Sequence, residues 1–124
     1  MKYRFLRVGD HIDDDASLVV RGGDLDPVAL RSDALRNHQI YGTYGISVFA
    51  VRETTLDEMA QLPPLVPFER LILITAGVLR AADLRLEPTG RNRRHFDVAF
   101  DNLDAGIARL CACEHEIFVN PYHE

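Results

Sequence analysis

The apolar positions of this chain fall in short runs broken by glycine, proline and acidic clusters, a spacing that suits strands better than long helices. Residues 3–8 mix aromatic and apolar positions with Arg4 and Arg7, which predicts a strand at a sheet edge. Leu18-Val19-Val20 predicts a buried strand that stops at Arg21-Gly22-Gly23, where glycine permits a turn. The run YGISVFAV over 44–51 is rich in aromatic and β-branched residues and predicts a central strand. Residues 68–75 contain Leu71-Ile72-Leu73-Ile74, the pattern of a strand buried on both faces. Residues 84–87 and 95–100 flank Pro88-Thr89-Gly90-Arg91-Asn92-Arg93, which predicts a hairpin, and a last strand is expected over 112–119.

Helix signals are fewer. Asp26-Pro27 pairs a capping acid with proline at the first helical position and predicts a helix over 26–36. Thr55-Leu56-Asp57-Glu58 fits a capping box, opening a helix over 55–62 that stops before Pro63-Pro64. Asn102 caps a helix over 102–110 whose Leu103, Ile107 and Leu110 share a face. Strands joined by short, scattered helices predict an α+β fold: a split, mainly antiparallel β core of two packed sheets with short flanking helices.

Composition narrows the class. With 124 residues, 47% of them hydrophobic and 27% charged, the chain reads as a single domain over 1–124 that can bury a core without staples. Cys111 and Cys113 have one residue between them, and such a pair on one strand does not bridge easily; a reducing, cytoplasmic setting is expected. Residues 1–10 hold no long apolar run, so neither a signal peptide nor a membrane anchor is expected. The net charge of −5 argues against broad binding to a phosphate backbone, and Arg91, Arg93 and Arg94 beside His95 read as a solvated hairpin tip. Arg21-Gly22-Gly23-Asp24 lacks the lysine or third glycine of a phosphate loop. Cys111, Cys113 and His115, strung along an extended backbone, do not converge on a tetrahedral zinc, and no metal is expected.

The unusual feature is Glu114-His115-Glu116 in an otherwise apolar segment. On a strand over 112–119, Glu114 and Glu116 point to one face, roughly 7 Å apart. Cys111, Cys113, His115, Ile117 and Val119 then face a core. Two carboxylates on one face repel, so the pair marks either a solvated edge without function or a site that uses them.

Glu114-His115-Glu116-Ile117-Phe118-Val119-Asn120-Pro121 resembles the C-terminal Glu-x-Glu strand of ADP-ribosyltransferases of the Arg–Ser–Glu, cholera-toxin-type clade. Leu18-Val19-Val20-Arg21-Gly22-Gly23 is similar to that family's early strand ending in arginine and glycine. Tyr44-Gly45-Ile46-Ser47-Val48-Phe49 is similar to its aromatic-Ser-Thr-Ser strand, with Val48 standing where the family has threonine. The three elements occur in family order and span Arg21 to Glu116.

The resemblance implies an ADP-ribosyltransferase-like fold and an enzyme that breaks the nicotinamide–ribose bond of NAD, here a substrate, with no metal. It implies that Glu116 opposes the positive charge of an oxocarbenium-like transition state, with Ser47 holding Glu116 in place and Glu114 acting on the acceptor. Arg21 would bind phosphate or ribose, Gly22 would let backbone amides approach the nicotinamide carboxamide, and Tyr44 or Phe49 would stack on its ring. Three functions follow: a mono-ADP-ribosyltransferase with a protein or nucleic-acid acceptor, acting as a toxin held by an antitoxin protein; a NAD glycohydrolase or phosphorylase like the RES-domain toxins; and a binding module that kept the fold without the chemistry. No membrane partner is expected.

Overall fold

The computed structural model describes residues 10–14, 17–52, 56–61, 63, 65–88 and 96–124. The expected strand at 3–8, Thr55 of the expected capping box, and the basic cluster at Arg91, Arg93, Arg94 and His95 lie outside them. The described residues form an α+β fold in the order β1 (Ser17–Gly22), α1 (Pro27–Tyr41), β2 (Tyr44–Arg52), α2 (Leu56–Ala60), β3 (Arg70–Thr75), α3 (Ala76–Ala81), β4 (Arg85–Pro88), β5 (Phe96–Phe100), α4 (Leu103–Ala112) and β6 (Glu116–Val119). The six strands join one sheet in the order β4-β5-β2-β1-β3-β6, and every neighbouring pair is antiparallel.

β2 changes partner along its length. Its first half, Tyr44 to Val48, pairs with β5, and its second half, Phe49 to Arg52, pairs with β1. The β1–β2 ladder ends at Val20↔Phe49; past that pair, Arg21 and Gly22 run beside β3 and Ser47 runs beside Asp97 of β5. The sheet therefore forks between β1 and β2.

Alternation along the strands sends side chains to two cores. On one face Val19, Val48, Ile72, Ile74 and Val98 meet Leu30 and Ala34 of α1, Leu79 of α3, and Ile107 and Leu110 of α4. On the other, Val20, Val51, Leu71 and Leu73 meet Met59 and Ala60 of α2 and Leu65, with Phe49 and Phe118 at the margin. Burial on both faces explains why β3 reads as one unbroken apolar run.

The helices start where the caps say. The Asp26 carboxylate accepts from the Ala29 amide at 3.1 Å, and the Asn102 side chain accepts from Ala105 at 2.9 Å. Their ends differ from expectation. α1 runs past residue 36 to Tyr41 because no breaker intervenes until Gly42, whose φ of 82° caps it in the left-handed region. α4 runs to Ala112, so the expected strand over 112–119 is shortened to Glu116–Val119. α3 was not expected; the Thr75 hydroxyl accepts from the Val78 amide at 3.4 Å and turns the end of β3 directly into a helix. Among the described residues no helix is long and apolar enough to cross a membrane.

Candidate functional site

A cleft of about 420 Å³ opens at the fork, within the range of about 300–1,000 Å³ usual for small-molecule sites. β1 supplies Val20, Arg21 and Gly22; β2 supplies Ser47 and Phe49; the second half of α1 supplies Asp33, Arg36, Asn37, Ile40 and Tyr41; and Phe68 closes the β3 side. Four of the expected residues, Arg21, Gly22, Ser47 and Phe49, thus come together although α1 separates Arg21 from Ser47 along the chain.

Arg21 is held at the cleft by two contacts of its side chain. Its Nη2 donates to Asp33 Oδ2 at 3.1 Å and its Nε to the Asp24 carbonyl at 3.3 Å, which leaves guanidinium donors for a ligand. Arg36 binds the other oxygen of Asp33. One carboxylate shared by two guanidiniums leaves this wall of the cleft net positive, suited to phosphate or carboxylate. Asn37 is buried and spends one amide hydrogen on the Thr43 carbonyl at 3.0 Å, which ties the end of α1 to the start of β2.

Gly22 is a packing requirement. A Cβ there would overlap the Phe68 ring, so glycine is what lets that ring lie against β1 and wall the cleft. The Phe68 segment is anchored in turn by buried Asn120, whose amide donates to the carbonyls of Ala60 at 3.1 Å and Phe68 at 3.3 Å while its oxygen accepts from Tyr122 at 3.0 Å.

The other expected residues stand elsewhere. Tyr44 stacks on His38 with ring centroids 4.5 Å apart and on Phe100 at 6.5 Å, and does not line the cleft. Glu116 lies outside the lining too. Its register, Phe49–Val20–Leu73–Glu116 across four neighbouring strands, sets it on the face that carries Val20. It is exposed and two strand spacings, roughly 10 Å, beyond Val20.

The same-strand relation of the two glutamates is corrected: Glu114 precedes β6 and lines a separate hollow with Val78, Ala82, Arg109 and Cys113, because α4 consumes the residues expected to begin the strand. The alternating core face is corrected with it. Cys113 is buried and Cys111 partly so, Cys111 in the last turn of α4 and Cys113 at its C-cap. His115 is exposed, and Ile117 and Val119 are 57% and 67% exposed because, among the described residues, β6 is the outer strand of the sheet.

Burial is the first cause that pushes both thiols above their ordinary range; Asp26 adds to it at Cys111, and Cys111 adds to it at Cys113. No group of histidine, cysteine or acidic side chains among the described residues is arranged to hold a metal ion.

Sequence reasoning missed Asp33, Arg36, Asn37, Ile40, Tyr41 and Phe68. Asp33 and Arg36 lie within the expected helix but carry no local signal for a cleft, and Asn37, Ile40 and Tyr41 required seeing that α1 continues to its glycine cap. Phe68 read as the start of a strand, whereas the strand begins at Arg70. No family model matches the chain, and neither a curated protein nor a solved structure matches it.

Proposed function

We propose that this chain is a NAD-consuming enzyme of ADP-ribosyltransferase type, with the fork between β1 and β2 as its dinucleotide site and the split of the sheet at β2 as the counterpart of that family's split core. The observation that carries the reading is the meeting of Arg21, Gly22, Ser47 and Phe49 at one cleft. These are residues the resemblance singles out, and β1 and β2 bring them together across the fork.

The chemistry of the lining supports it. Arg21 and Arg36 suit a pyrophosphate, while Phe49, Tyr41 and Phe68 offer apolar and aromatic surface for a ring. Glu116 is exposed on β6, separated from the cleft on that sheet face by the core that α2 forms over Val20 and Leu73, so its part in the reaction rests on the resemblance. By that resemblance its carboxylate opposes the charge that develops on ribose as the C1′–nitrogen bond breaks and nicotinamide departs with the bonding pair. Glu114, in its own hollow, acts on the incoming acceptor. An acceptor protein or nucleic acid, and an antitoxin that occludes the cleft, are the partners this activity calls for.

Incubating the purified protein with labelled NAD tests the reading. Nicotinamide release is the expected result, and label carried onto a macromolecule assigns transfer rather than hydrolysis. Binding of NAD without release would assign a binding module, and no binding would refute the assignment of the cleft.

A further inference from the structure

Asp33, Arg36, Asn37 and Ile40 fall at i, i+3, i+4 and i+7 along α1, so one face of the helix carries all four to the cleft. Asp33 is the hub of that face. Its Oδ2 accepts from Arg21 Nη2 at 3.1 Å, from the end of β1, and its Oδ1 accepts from Arg36 Nη2 one turn along the same helix. An i,i+3 ion pair contributes little to a helix by itself. The contact to Arg21 is of another kind, because it joins two elements and its arginine is sunk into the protein.

The two guanidiniums stand at different depths. The Arg21 side chain is 14% exposed, and a second bond, from Nε to the Asp24 carbonyl at 3.3 Å, fixes its plane. Arg36 is 67% exposed, and among the described residues Asp33 is the one group that holds it. Of the five N–H donors on each head, these contacts spend two on Arg21 and one on Arg36. The Asp33 carboxylate fills the point where the heads come together, so an anion meets each head on its free side. One phosphoryl group at recessed Arg21 and the next at Arg36, toward the mouth, fits that arrangement. A lone phosphoryl group engages one arm.

We propose that Asp33 is a positioning residue that sets Arg21 and Arg36 as the two arms of a diphosphate clamp, so that the cleft selects a nucleoside diphosphate over the monophosphate. The inference rests on the NAD reading only for placing the ligand at the fork. It requires a diphosphate there and not the cleavage of NAD, so either can fail while the other stands. Asp33 opposes an anion by its charge and favours it by holding two flexible side chains in place. The holding prevails, because an unheld arginine gives up its side-chain freedom when the ligand binds. The opposing charge, in contrast, is already spent on two guanidiniums.

Calorimetric titration of the wild type, Asp33→Asn and Arg36→Gln with ADP, AMP and NAD, together with melting curves of each protein, tests this. The wild type should hold ADP about tenfold more tightly than AMP, the scale of one more hydrogen bond between charged groups. Arg36→Gln should bring that ratio to about one and leave the affinity for AMP, held by Arg21, unchanged. Asp33→Asn should also bring the ratio to about one, although loss of the acid makes the cleft more positive and by charge alone would raise it. A ratio kept or raised in Asp33→Asn would assign Asp33 a role in charge or stability only and overturn the proposal. A ratio kept in Arg36→Gln would overturn it as well, and that exposed position decides the matter if Asp33→Asn melts too low to titrate. Equal binding of ADP and AMP by a wild type that binds NAD would overturn the clamp and leave the NAD reading standing. Preference for ADP without binding of NAD would uphold the clamp and sink the NAD reading. Failure of all three to bind would sink both.

Discussion

Gly22 and Gly23 are adjacent glycines required for different reasons. Gly23 has a φ of 94° and open space where a Cβ would go, so its need is the left-handed turn that leads from β1 toward α1. Gly22 is a strand residue whose missing Cβ makes room for Phe68. The sequence run Arg21-Gly22-Gly23 announces the turn but not the ring, because Phe68 lies on a distant segment that packing, and not local propensity, brings over. Gly22→Ala should push Phe68 off β1 at a cost of about 1–3 kcal/mol, the usual scale of overpacking, and weaken any ligand of the cleft. Urea unfolding and NAD titration of the variant check this; unchanged stability together with unchanged affinity would show that Phe68 is not a fixed wall. Tyr44 gives the converse lesson: an aromatic flanking the Ser47 strand invites a ring-stacking role, yet His38 and Phe100 take it into the helix-side packing.

At the scale of elements, starts were legible and ends were not. Asp26 and Asn102 cap their helices as the pattern predicts, since a side-chain acceptor before an apolar run is a local signal. The C-terminus of α4 has no glycine or proline to mark it, and the helix absorbs Cys111 and Ala112. That one displacement separates Glu114 from Glu116 and turns the two cysteines from a strand face to a helix end. It also sets a pH dependence. A thiol raised in the fold keeps its proton after the unfolded chain has begun to ionise near its ordinary value of 9.0. The stability it contributes is fully present below that pH and is lost as pH rises through the folded value. The urea midpoint of the wild type should therefore fall more between about pH 8 and about pH 10 than that of a Cys111→Ala, Cys113→Ala double variant. Parallel falls in the two proteins would show that the thiols carry none of the alkaline loss.

For the molecule as a whole, the α+β class, the antiparallel pairing and the hairpin of β4 with β5 were readable from strand-sized runs and their turns. The strand order was not, because β4-β5-β2-β1-β3-β6 depends on which ladder each half of β2 joins, and alternation along β2 is the same for either partner. The fork that follows is what makes a cleft at all. Arg21 and Ser47 could be singled out from their motifs, but their meeting at one cleft depends on the fork and could not.

The central claim is that NAD held at this fork is cleaved with help from Glu116 on the adjoining sheet face. Nicotinamide release by the wild type, Glu116→Gln and Glu114→Gln measures it most directly. The account predicts that Glu116→Gln loses at least about 100-fold in release, the effect of removing one preorganised electrostatic contact, or about 3 kcal/mol. Glu114→Gln, altered in a separate hollow, should keep slow release and lose transfer to an acceptor. Release unchanged in Glu116→Gln would contradict the account and return Glu116 to a solvated sheet edge.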